Sequence, residues 1–258
     1  MRCFQYFQGS MANLTQLRML ENLDGFLLVD KPAGIAFSSV VKAVKRKFNL
    51  VKVGHGGSLD AMATGLFVLL INDANKFVGD IMGADRAYEG VMRLGLSTST
   101  HDVNGERKGG SVPEEGWSRL LADRAAAVLP EFKGDVFQTE SRWCSVRREG
   151  SVGYEIADTG GHKPFLAHVY RFDLGEADGD GRLPFSVTGT KGLIVRTLVN
   201  DFGEALGCGA ALDGLRRVRV GRFRVEDAIP FDRLLELDMK DFPSCVTPIG
   251  CAFVADGV

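Results

Sequence analysis

Gly54-His55-Gly56-Gly57-Ser58-Leu59-Asp60-Ala61-Met62-Ala63-Thr64-Gly65 is the stretch from which the rest of the chain is read. Gly54, Gly56, Gly57 and Ser58 crowd its first half. A glycine loses more backbone freedom on ordering than any other residue, so such a run favours neither helix nor strand. Val53 to Thr64 is therefore expected to be a loop. Within it, Asp60 stands between Leu59 and Ala61-Met62-Ala63. A carboxylate in apolar company needs a counter-ion if it is buried. Taken alone, the segment is read more readily as an aspartate bonded into its own turn. Arg196 is a candidate partner, but spacing along the chain does not bring the two together.

Working outward, Gly25 to Asp30 reads as a short buried strand stopped by Lys31-Pro32 and Gly34. A helix follows, with Ser38 or Ser39 as its expected cap and Val40, Val44 and Phe48 on one face. Leu66 to Ile71 is an apolar strand. Ala74, Phe77, Val78, Ile81 and Met82 have the spacing of a short helix. Tyr88, Gly90, Met92 and Leu94 alternate with Glu89, Val91 and Arg93 as in a strand with Tyr88 inward. Trp117 to Val128 is a further amphipathic helix, and Val169 to Leu174 with Leu183 to Thr188 are two strands joined through Gly175 to Gly181. Val195, Leu198, Val199, Phe202 and Leu206 mark a helix ended by Gly207, with Arg196, Asn200 and Glu204 on its other side. Strands and helices mix without a βαβ rhythm, which predicts an α+β fold: a mixed, largely antiparallel sheet flanked by helices.

The 258 residues suffice for one large domain. Gly65 to Ile71, the longest uncharged apolar run, is far short of the roughly 20 residues of a membrane span. No secretory signal pattern precedes Asp24, and Met11 is a possible start, so a cytoplasmic protein is expected. Five scattered cysteines and four histidines form neither a zinc nor a redox spacing, so no metal site is expected. The net charge of −2 gives no sign of a nucleic-acid partner. Two basic clusters are more telling, Lys42, Lys45, Arg46 and Lys47, and Arg216, Arg217, Arg219, Arg222 and Arg224; either could be a phosphate-facing stripe, though one alone reads more readily as a solvated surface.

The opening stretch resembles the signature of the TruB pseudouridine synthase family, G-H-T-G-x-L-D-P-x-A-T-G. Gly25 to Gly34 resembles the family's opening strand and Lys-Pro motif, and Arg86-Ala87-Tyr88-Glu89 with Arg93-Leu94-Gly95 its tyrosine strand. Thr98 to Gly105 is similar to its T-x-x-x-D-x-x-G, Lys191-Gly192 with Arg196-Thr197 to its arginine motif, and Gly203 to Arg217 closes the series. The resemblance covers about residues 25 to 225 and implies the pseudouridine synthase fold. It implies an enzyme that isomerises uridine to pseudouridine in RNA, most simply in the T-arm loop of tRNA. No cofactor or metal is implied. Asp60 would attack the flipped-out base, Tyr88 would stack on it, and Arg196 would hold Asp60 ionised and aimed. His55 and Leu215 would contact the nucleotide. Lys31, Lys45, Arg46, Arg216 and Arg217 are the expected further RNA contacts, in keeping with the cost of extruding a base.

Departures from the family pattern fall at defined places. Gly56 and Ala61 replace its Thr and Pro, Ala36 and Phe37 its hydroxyl pair, Ile194 an aromatic, and Asp158 a basic residue. Its Q-x-P-P-x-Y-S-A-x-K becomes Gln138 to Arg147 without prolines or tyrosine. The expected division is an N-terminal extension over 1–24, a catalytic domain over 25–232 and a short C-terminal tail over 233–258 in place of a C-terminal RNA-binding domain. A monomer is expected. Two other readings remain at this stage: an RNA-binding or tRNA-folding protein with little activity, and a synthase acting on another RNA.

Overall fold

A computed structural model describes residues 23–114, 116–139, 143–148, 151–156 and 164–252. The expected N-terminal extension, up to residue 22, lies outside the described residues, as does Asp158. The architecture is built on one sheet of eleven strands. Its principal strands are β1 (Gly25–Lys31), β2 (Val53–His55), β3 (Thr64–Ile71), β4 (Arg86–Leu94), β5 (Gly134–Gln138), β6 (Phe165–Leu174), β7 (Arg182–Gly189), β8 (Ala210–Val220), β9 (Ile229–Pro230) and β10 (Val246–Pro248). The spatial order is β9-β1-β3-β8-β4-β7-β6-β5, with β2 added to β3 and β10 to β1. Pairing is antiparallel except β1 with β9 and β3 with β8. The expected α+β class, a mixed and largely antiparallel sheet with flanking helices, is what the chain adopts.

The helices are α1 (Phe37–Lys47), α2 (Val78–Gly83), α3 (Trp117–Val128), α4 (Val195–Leu206) and α5 (Phe231–Glu236). Apolar periodicity placed α1, α3 and α4 well, because each buries one stripe: Val40 and Val44 in α1, Trp117 and Leu120 in α3, Leu198, Val199, Phe202 and Leu206 in α4. Gly207 ends α4 in the left-handed conformation, φ 80°. The serines do not cap α1. Ala36 occupies the cap position, no side chain bonds there, and Ser38 and Ser39 fall inside the first turn. Residues 72–77 wind as a 3-10 helix before α2.

Two larger cores divide the sheet. One joins α3 and α4 to β4, β6, β7 and β8 through Met92, Phe172, Leu183 and Phe202. The other joins α1 and α5 to β1 and β3 through Val29, Phe48, Phe67 and Leu234. The second core corrects the expected boundary at residue 233. Far from being a tail, the C-terminal stretch adds β10 to β1, and Phe242 stacks on Phe48 at 3.8 Å. Burial of Leu234, Phe242 and Val246 in this core holds it on the body. Among the described residues no helix is long and apolar enough to cross a membrane.

Candidate active site

The loop between β2 and β3 crosses the seam between the two cores. Its first three residues are not loop as expected but β2, paired with β3 from Val53 opposite Ile71 to His55 opposite Leu69. Beyond them, Leu59, Ala61 and Ala63 are buried while Asp60 and Met62 between them are only half-buried. That alternation anchors the loop through its small apolar side chains and turns the carboxylate outward. Ala63 N–H closes the turn on the Asp60 carbonyl at 3.1 Å.

Arg196 is brought to it from α4. Its Nε donates to Asp60 Oδ2 at 2.7 Å, and its Nη1 donates to the Thr100 carbonyl at 2.9 Å. The arginine side chain is 7% exposed and the aspartate 30%. A polar position on α4 is thus buried because that side of the helix's first turn faces the loop, and the counter-ion that Asp60 requires is in place. Thr100 belongs to a loop organised by Asp102, which is fully buried. Asp102 Oδ1 accepts from Thr100 Oγ1 at 2.9 Å and from Asn104 N–H at 3.0 Å. Asp102 lies in the Thr98 to Gly105 motif, where nothing in the sequence marks it as the residue that organises the loop.

Three buried cations grip the loop that carries Asp60 through its carbonyls. Lys31 Nζ donates to the carbonyls of Pro32, Ile35 and Ala61 at 2.8, 2.9 and 3.2 Å. Arg217 donates to those of Leu66 and Ser58, both at 2.8 Å, and lies within hydrogen-bonding reach of Tyr88. Arg86 donates to the Gly56 carbonyl at 3.3 Å and to those of Met82 and Ala84. Lys31 and Arg217 were expected as RNA contacts. The structure speaks against both, because neither side chain reaches solvent and both donate to backbone carbonyls, Lys31 to three and Arg217 to two. Burial lowers the Lys31 pKa to about 8, with the Asp60 charge opposing the shift, and burial likewise pulls Arg217 below the ordinary arginine value. Gly65 is obligatory at the end of this loop: φ is 98°, and a Cβ would lie 2.4 Å from the Arg217 carbonyl oxygen.

Tyr88 is buried on β4, opposite Val187 on one side and Arg217 on the other, and Leu215 packs half-buried against its cluster. His55 accepts the Gly57 N–H on Nδ1 at 3.3 Å, which leaves the neutral ring's proton on Nε2. Burial holds its pKa below the usual histidine value. Its ring meets the edge of Phe37 at 5.1 Å and lies over Phe67 at 6.0 Å, so Phe37, one of the departures from the family pattern, packs on the site.

The two basic clusters differ. Lys42, Lys45, Arg46 and Lys47 are all exposed on α1. The arginines of β8 and beyond make no continuous stripe, because strand alternation sends neighbours to opposite faces. Arg216 is engaged by Asp30 in two bonds of 2.9 and 2.7 Å, Arg217 is buried, and Arg224 pairs with Glu226 at 3.4 Å. Beside the catalytic loop opens a groove of about 790 Å³ whose walls include Met62, Thr64, Gly90, Phe185, Leu215 and Arg216. Among the described residues no cluster of His, Cys, Asp and Glu is suited to a metal ion.

Comparison with known proteins gives two family matches: the N-terminal domain of TruB family pseudouridylate synthase over residues 45–195, and the tRNA pseudouridylate synthase B C-terminal domain over residues 196–250. The second match revises the expectation that nothing corresponding to a C-terminal domain is present. The tRNA pseudouridine synthase B of Stutzerimonas stutzeri is 34% identical over 223 residues, covering 85% of this chain and 71% of that protein. The protein of the same name from Dechloromonas aromatica is 35% identical over 224 residues, covering 86% and 73%. Among solved structures, a Cbf5-Nop10-Gar1 complex superposes with a TM-score of 0.68 at 25% identity, covering 92% of this chain and 63% of the matched one.

Proposed function

The chain belongs to the TruB family of pseudouridylate synthases, and from that premise we propose that it isomerises a uridine of tRNA, in the loop of the T-arm, to pseudouridine. The observation that carries the chemistry is the 2.7 Å bond from Arg196 Nε to Asp60 Oδ2. A carboxylate aimed by a buried guanidinium, yet with its side chain 30% exposed, is a nucleophile that a nucleotide can reach. The uridine leaves its stack, at a cost of a few kcal/mol, and enters beside Tyr88 and Leu215. Asp60 attacks it to form a transient covalent bond, the bond from the sugar to N1 breaks, the base turns and rejoins the sugar through C5, and the bond to Asp60 breaks to restore the free carboxylate. The C5 proton is then lost, and N1 gains one, so substrate and product have the same atoms and no electrons are exchanged. Tyr88 would supply the stacking surface and assist removal of that proton. His55, neutral and held by Gly57, Phe37 and Phe67, offers its Nε2 proton to the flipped nucleotide or its neighbours. Lys45, Arg46 and Arg216 are the candidate phosphate contacts; Arg216 would exchange Asp30 for RNA. The protein would act as a monomer.

Asp60→Asn tests this reading. The amide preserves size but not charge, so the variant should fold, bind a tRNA transcript and form no pseudouridine on chemical mapping. Pseudouridine from purified Asp60→Asn protein would remove Asp60 from the mechanism. Mapping total RNA with and without the gene identifies the substrate: loss at the T-loop supports tRNA, loss elsewhere another RNA, and no loss a binding protein.

A further inference from the structure

Gln138 is the last residue of β5 and 3% exposed. Its carboxamide spans the gap to α4 with both ends. Nε2 donates to the Ile194 carbonyl at 3.1 Å, and Oε1 accepts the Ile194 N–H at 2.9 Å. Ile194 is the cap residue of α4 and has no side-chain acceptor of its own. Its carbonyl also takes the Leu198 N–H at 3.0 Å, so the point where Gln138 attaches is the point where the helix starts. Arg196 follows two residues later, stretched between Asp60 and the Thr100 carbonyl.

The attachment is stiff at its other end too. Gln138 pairs with Phe165 in the β5–β6 ladder, and Val136 on the same strand packs in the core that holds α4. Neither charge nor length can be altered without loss. A glutamate in the ionised form has no proton for the Ile194 carbonyl, and an asparagine is one methylene too short to reach both atoms. An apolar residue would leave two backbone groups buried without partners.

We propose that Gln138 is a positioning residue for catalysis: it fixes where α4 begins and thereby the placement of Arg196 on Asp60. The proposal rests on the pseudouridine-forming role of that pair. It also gives a job to a residue of the altered 138–147 segment that matches the glutamine of the family pattern.

The test compares Gln138→Ala, Gln138→Glu and, as a surface control beside them, Phe137→Ser, which alters a side chain 76% exposed. Two readings are taken: kcat and KM on a tRNA transcript, and the NMR resonance of the Arg196 Nε–H in the free protein. Displacing a catalytic group by about 1 Å costs on the order of 100-fold, so Gln138→Ala should lose kcat on that scale with KM for RNA unchanged. Its Arg196 Nε–H signal should shift and exchange faster. Gln138→Glu should regain kcat relative to wild type as the pH falls and its carboxyl gains the missing donor proton, and it carries both readings should Gln138→Ala fail to fold. Phe137→Ser should match wild type. The proposal is overturned if folded Gln138→Ala keeps both the wild-type kcat and the wild-type Arg196 signal, or if Gln138→Glu shows no recovery at any pH. A wild-type protein without activity, together with an Arg196 signal that still depends on Gln138, would instead overturn the assigned reaction and leave the positioning intact.

Discussion

Lys31 donates to three carbonyls and shows none of its surface to water, so its proton is tied to the geometry of the loop carrying Asp60. In the fold it is lost near pH 8, against 10.5 for the unperturbed side chain. Between those values the unfolded chain binds more protons than the folded one, and this group's contribution to stability therefore rises with pH. Activity should go the other way, because a neutral amine has two N–H groups for three carbonyls. The expected outcome is a fall in pseudouridine formation with an apparent pKa of about 8 and no loss of thermal stability traceable to this residue over the same interval. A flat rate profile there would show that the loop does not depend on the ammonium. Sequence could not reveal this role, since a lysine beside a proline is ordinarily solvated. Arg217 deceived for a related reason: its arginine neighbours suggested a surface stripe, whereas its side chain fills the interior under Ser58. Asp60 and Tyr88 stood out as candidates only because flanking motifs resemble a family's. Their own neighbourhoods favoured a turn and a core residue.

Between elements, α4 approaches β8 backbone to backbone. A Cβ on Gly203 would lie 2.1 Å from the Ala210 backbone nitrogen, contact that neither partner can relieve by turning a side chain. Gly203→Ala should therefore push the helix outward, with a stability loss of roughly 1–3 kcal/mol in denaturant titration, the range for overpacked interiors. Because α4 carries Arg196, kcat should fall in the fraction that remains folded. An alanine variant with unchanged stability and rate would mean the helix has slack. Elements with a long apolar stripe were readable: Val40, Val44 and Phe48 lie at 0% exposure, as their spacing implied. β2 was not, for three residues with two flanking glycines carry no alternation to read, and only pairing with β3 makes them a strand. β8 was hidden in the same way by its arginines, although its first residues, Ala210 to Leu212, are fully buried.

For the molecule as a whole, RNA binding has to be achieved without favourable net charge, the formal value being −2. Attraction must come from local fields, and the exposed basic end of α1 is the most concentrated of these among the described residues. Lys45→Glu with Arg46→Glu should weaken tRNA binding and flatten its dependence on salt by about one unit of slope per lost phosphate contact, with thermal stability unchanged. Equal slopes for variant and wild type would place the RNA elsewhere. The class of fold was readable from the rhythm of strands and helices, but its closure was not. β1, which ends in Lys31, is flanked by β9 and β10 from the far end of the chain as well as by β3. During synthesis, then, the strand that ends in Lys31 leaves the ribosome about two hundred residues ahead of β9 and β10 and has an unpaired edge until residues 229–248 follow. Activity in a nascent chain should accordingly appear only once that stretch has emerged, and the interval before it is the one in which a chaperone would matter most.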